Sequence, residues 1–130
     1  MRRILFGALT LAVLTFGPTG GAVADDDKAL LSEGRAAAKV CLACHHFKRA
    51  KRKFGPHLVD IIGRPVASAA NFQYSNALTA LGGVWTEARL AEFLNHPEAY
   101  APGTNMKFDG FQDERKAHAA VAYIVRRYGK

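Results

Sequence analysis

Cys41, Cys44 and His45 stand together as Cys41-Leu42-Ala43-Cys44-His45, and no other stretch of this 130-residue chain restricts its folding so strongly. Two cysteines three apart put two thiols on one side of a helical turn, with an imidazole beside them. C-x-x-C-H is the spacing of covalent c-type haem attachment: Cys41 and Cys44 would form thioethers with the vinyl groups, and His45 would be an axial ligand of the iron. Other uses of the pair fit less well. A thiol redox couple belongs where a strand opens a helix, and here an Ala-rich helical run comes first. A structural zinc site would have to complete its tetrahedron from histidines and carboxylates, since the chain has no second C-x-x-C. A plain disulfide leaves the histidine unexplained.

The N-terminus has the pattern of an export signal. Met1-Arg2-Arg3 is basic, Ile4 to Phe16 is almost wholly apolar, and Ala22-Val23-Ala24 offers a small-x-small cleavage site before Asp25. The apolar run is shorter than the ~20 residues of a spanning helix. Residues 1–24 are therefore expected to be a cleaved signal peptide, and residues 25–130 one periplasmic domain with one core. Losing Arg2 and Arg3 leaves 16 basic against 11 acidic side chains, a net charge of +5. A basic exported domain suits acidic protein faces or, peripherally, an anionic membrane; nucleic acid is not expected there.

Asp25-Asp26-Asp27 is expected to cap a helix through Ala29 to Val40, with Gly34 as its weak spot. Gly55-Pro56 and Gly63-Arg64-Pro65 are breakers. A short helix is expected over Asn76 to Leu81, stopped by Gly82-Gly83, and a further one after Thr86 that ends at Pro97. Pro97 to Phe111 reads as a loop. Asp113 caps a last helix whose apolar stripe runs through Ala117, Ala120, Val121, Ile124, Val125 and Tyr128. No segment alternates as a strand, so the expected fold is all-α, with three to five helices wrapped around the cofactor.

What the cofactor does depends on its sixth ligand. Met106 is the only methionine after Met1, and the rigid loop Ala101-Pro102-Gly103-Thr104-Asn105-Met106 suits delivery of a thioether. A soft sulfur favours ferrous iron and raises the reduction potential. Methionine also fills irregular core gaps. Among the histidines, His46 lies too close to His45 and His57 belongs to the proximal loop, while His96 and His118 are formal alternatives.

The chain from Gly34 to Tyr123 resembles a class I cytochrome c, of the mitochondrial type and its soluble bacterial relatives. The resemblance rests on Cys41 to His45, Gly55-Pro56-His57-Leu58, Ile62-Gly63-Arg64, Phe72 to Ala77, Trp85 and Tyr100 to Met106. It implies the cytochrome c fold, and a Pro56 carbonyl that accepts the free imidazole N–H of His45. It also implies Met106 as the ligand opposite His45, Tyr100 bonded near its sulfur, and Arg64, Tyr74, Trp85 and Thr104 around the haem propionates. Three features depart from the family pattern. Ala36, Ala37 and Ala38 replace an aromatic that packs on the last helix near Tyr123, His57 replaces an asparagine, and the loop from His46 to Phe54 is about one residue shorter.

That loop carries Lys48, Arg49, Lys51, Arg52 and Lys53, next to the haem motif. The function implied is a non-enzymatic, monomeric periplasmic carrier of single electrons on one covalent haem c. Its expected partners are redox proteins with acidic docking faces: a membrane quinol:cytochrome c reductase, a terminal oxidase, or a periplasmic dehydrogenase or reductase. A haem subunit fixed in a dehydrogenase complex, or a haem with an open or labile sixth position for peroxidase chemistry or gas binding, are the alternatives.

Overall fold

A computed structural model describes residues 21–129; the apolar run Ile4 to Phe16 lies outside them. The described residues form five α-helices: α1 Gly21–Ala38, α2 Asn76–Leu81, α3 Glu87–Asn95, α4 Pro97–Tyr100 and α5 Glu114–Tyr128. A 3₁₀ turn, Val40–Ala43, follows α1. Among the described residues no strand forms, and the single isolated bridge pairs Pro65 with Val84. No described helix is long and apolar enough to cross a membrane.

The caps explain most boundaries. Ser75, Thr86 and Asp113 each accept a hydrogen bond from the backbone N–H three residues on, which satisfies one of the open donors at the starts of α2, α3 and α5. Gly82 and Gly83 both take positive φ and end α2. Two expectations change at α1. The helix starts at Gly21, so Asp25, Asp26 and Asp27 lie beyond its first turn and do not cap it. Ala22 and Ala24 are strong helix formers, so nothing interrupts the helix before Asp25. The helix also stops at Ala38, which leaves Cys41 in the tighter 3₁₀ turn. The stretch after Pro97, expected as loop, opens with the one-turn α4, where proline's fixed φ suits the first helical position.

α1 crosses α5 at close range. A Cβ on Gly34 would collide with the Ala119 carbonyl and come within 2.8 Å of the Tyr123 Cβ. The expected weak spot is thus the point that lets the two backbones meet. Ala37, Ala38, Ala117, Ala119 and Ala120 are buried at this crossing, where bulkier side chains would hold the helices apart. The aromatic contact with the end of α5 comes instead from Phe47, just after the haem motif, which stacks on Tyr128 at 4.9 Å. Val121, Ile124, Leu90, Phe93 and Leu94 complete a core between α3 and α5. The helices leave one side of this core open, and the loops fold over it.

Candidate functional site

The 3₁₀ turn brings Cys41 and Cys44 to the rim of a cavity of about 470 Å³, a size usual for cofactor sites. Its walls are mostly apolar and come from the loops after the cysteine turn and from α2, α3 and α5, including Leu58, Ile61, Phe72, Leu78, Phe93 and Ile124. His45 follows directly, its backbone N–H bonded to the Cys41 carbonyl at 2.9 Å. The side chain is oriented by Pro56, whose carbonyl lies 2.7 Å from His45 Nδ1. A carbonyl only accepts, so Nδ1 carries the proton and the Nε2 lone pair is left for a metal. Burial lowers the His45 pKa, the Pro56 hydrogen bond opposes that shift, and the Lys53 charge adds to it. The result is a neutral imidazole, the form that binds iron.

Gly55 makes this placement possible. Its N–H donates to the Cys44 carbonyl at 2.8 Å, and its Cα lies against the imidazole face. A Cβ there would strike His45 Cε1 and sit 2.7 Å from Nδ1. Lys53 ties the basic loop to the same turn, with its Nζ donating to the Leu42 carbonyl at 2.6 Å.

Burial pushes the Cys41 thiol up to about 11, with the neighbouring Cys44 adding to it against a backbone hydrogen bond. Redox-active and zinc-binding cysteines are instead held as thiolates. Both cysteines are free, and no group of three or more His, Cys, Asp or Glu among the described residues is placed to hold a metal. Two free thiols, an imidazole with its Nε2 available and a thioether in one apolar cavity fit a covalently held porphyrin far better than a bare ion.

Met106 lines the cavity and packs on the core. Its backbone N–H meets Thr104 Oγ1 at 3.4 Å, while Glu98 accepts the Gly103 N–H at 2.9 Å, so the loop is braced on both sides of Thr104. Gly103 takes a φ of +87°, which favours glycine. The other histidines stand elsewhere. His96 and His118 are exposed, and neither they nor His57 line the cavity.

Arg64, Tyr74 and Trp85 line the cavity; Thr104 and Tyr100 do not. The Arg64 Nη1 donates to the carbonyls of His57 and Val59 at 3.1 and 2.9 Å. Tyr74 Oη accepts from the Ala69 N–H at 3.2 Å, which leaves its own proton to donate. The Tyr100 hydroxyl receives a hydrogen bond from Arg89 Nε at 3.1 Å. Arg89 escaped the sequence reading. Its Nη1 donates to the carbonyls of Gly82 and Val84, and its guanidinium lies 5.8 Å from the centre of the Trp85 ring, so it fastens the turn after α2 to α3. An arginine on an exposed-looking helix turn gave no sign of this. Phe93, legible only as one position of an apolar helix face, lies between Trp85 and Tyr100 at 5.4 and 6.0 Å and lines the cavity.

No protein-family model matches the chain. Individual proteins do. The chain is 37% identical to cytochrome c2 of Blastochloris viridis over 125 residues, covering 95% of this chain and 92% of that protein. It is 54% identical to a cytochrome c homolog of Rickettsia felis over 92 residues, 70% of this chain and 53% of the relative, so it spans about half the length of that protein. Cytochrome cH from Methylobacterium extorquens superimposes with a TM-score of 0.67 at 33% identity, covering 75% of this chain and 98% of that one. The chain belongs to the cytochrome c family, in its class I, soluble bacterial branch. The cofactor of that family is a covalently bound c-type haem with one iron.

Gly55→Ala is predicted to displace the His45 ring and to cost about 1–3 kcal/mol of overpacking. In thermal unfolding of the haem-loaded protein that appears as a fall of several degrees in Tm, roughly 4–8 °C per kcal/mol for a domain of this size. An unchanged Tm and absorption spectrum would contradict the packing described.

Proposed function

We propose that the chain is an exported carrier of single electrons, whose haem would be held covalently by Cys41 and Cys44 and whose iron would be bound by His45 and Met106. When bound, the haem supplies one iron that takes up and returns one electron. The observation that carries the reading is the joint presence, in one apolar cavity, of both thiols, a His45 whose Nδ1 proton is held by Pro56, and Met106. Each residue has a distinct task. The Pro56 carbonyl keeps the imidazole in one tautomer and makes Nε2 a better donor. The apolar walls exclude water, which favours the less charged reduced state. Arg64, Tyr74 and Trp85 offer donors to the cofactor's carboxylates, whose burial unpaired would be costly. The Thr104 hydroxyl braces the loop that carries Met106.

Residues 1–24 act in this reading as a signal peptide, with the mature domain in the periplasm. The domain transforms no substrate and meets its donor and acceptor in turn. The basic side chains from Lys48 to Lys53 are all exposed, next to Phe54, an apolar side chain on the cavity rim that is 86% exposed. Charges around an exposed apolar residue suit a transient complex with an acidic protein face, where they raise the association rate more than the affinity.

Met106→Ala tests the ligand. The reduction potential should fall by a sizeable part of the ~0.8 V range that axial ligands span, and the sulfur-to-iron charge-transfer band of the oxidised protein should vanish. A retained band would remove Met106 from the iron. Replacing Lys48, Arg49, Lys51, Arg52 and Lys53 by glutamine tests docking. Reduction by the physiological partner should slow by roughly 10- to 1000-fold at low ionic strength, and the difference should close as salt is added. The steering role would be refuted by an unchanged rate with an unchanged salt slope.

A further inference from the structure

His57 belongs to no part of the site described so far, yet its ring meets Arg64. Nδ1 of His57 lies 3.3 Å from Arg64 Nη1, and the same Nη1 donates to the His57 and Val59 carbonyls. Three acceptors therefore converge on one end of a guanidinium whose side chain also lines the haem cavity. An arginine has only donors, so His57 Nδ1 must present a lone pair, and the proton of the neutral ring sits on Nε2. A protonated His57 has two donors and no acceptor. It would face Arg64 with an N–H against an N–H and a positive charge against a positive charge. Burial and the Arg64 charge both hold the His57 pKa below the ordinary 6.5, so the ring is neutral at pH 7 and takes a proton only in more acid solution.

Arg64 is the charged group that meets the ring. Titratable groups on the neighbouring backbone include His46, whose carbonyl accepts the Leu58 N–H, and Asp60, three residues further along the chain.

We propose that His57 is a positioning residue whose neutral ring holds Arg64 at the cavity wall, and that its protonation makes the reduction potential of the bound haem depend on pH. The inference rests on the haem reading of the cavity. One electron entering the cavity lowers its positive charge by one, so a proton nearby is bound more tightly by the reduced protein. By reciprocity a proton on His57 favours the reduced protein. The potential is then highest in acid, falls as pH rises through the His57 titration, and levels off once the ring is neutral in both oxidation states. The Arg64 guanidinium carries the coupling, because it touches His57 at one end and lines the cavity.

The full-length haem protein gives the test. Its absorption spectrum comes first: absence of a haem spectrum overturns the reading of the cavity and this inference with it. With haem present, the midpoint potential is measured from about pH 5 to 8, the range in which histidines titrate, and the His57 ring is titrated by NMR in both oxidation states. The potential should fall by about 59 mV for each tenfold ratio between the two proton affinities. His57→Asn and His57→Gln should each flatten the profile, while Arg64→Gln should move the His57 titration back toward its ordinary value. Identical His57 titrations in the two states, or an undiminished slope in both His57 variants, would overturn the role of His57 and leave the haem site standing.

Discussion

The hydrogen bond from His45 Nδ1 to the Pro56 carbonyl is the contact on which the site depends. It joins the cysteine turn to a loop eleven residues on and sets which nitrogen keeps the proton. The loop can make that contact because Gly55 has no side chain to meet the imidazole, and because its N–H is anchored on the Cys44 carbonyl. Partial burial favours the neutral form of His45, and the bond decides which of its two nitrogens is free to bind a metal. Tautomer, ring angle and loop path are thus one arrangement, and a change to any of them disturbs the others.

The helices serve that arrangement by staying out of its way. α1 and α5 cross so closely at Gly34 and Ala119 that their contact is made by backbone and small side chains, while larger apolar residues from α3 and α5 turn toward the cavity. The cofactor of the family then completes the core, because a chain this short has a limited apolar interior of its own. Phe47 on Tyr128 ties the far end of α5 to the residues just past His45. One arginine, Arg89, holds the turn after α2, the Trp85 ring and Tyr100 in fixed relation.

Local chemistry was legible in the sequence where it is self-contained. Ser75 was not singled out, but Thr86 and Asp113 announced their helices through capping, and Gly82-Gly83 marked the end of α2 to the residue. The cysteine motif and the apolar stripe of α5 were equally readable, since each is a matter of spacing along one segment. Contacts between distant segments were not. Gly34 looked like a flaw in a helix because its partner, Ala119, lies 85 positions away in the chain. Tyr100 gave no sign of Arg89, on a helix eleven residues back, whose Nε donates to its hydroxyl. The start of α1 was misplaced for a different reason: three aspartates make a good cap, yet the alanines before them make good helix as well.

The central claim is that Cys41 and Cys44 are both covalently bonded to one haem. Digesting the mature protein under acid denaturing conditions and weighing the peptide that spans Cys41 to His45 tests it directly. The account predicts one peptide with the mass of a single haem added, both sulfurs blocked to alkylation. A peptide of unmodified mass with two alkylatable thiols, or with a disulfide between them, would contradict it.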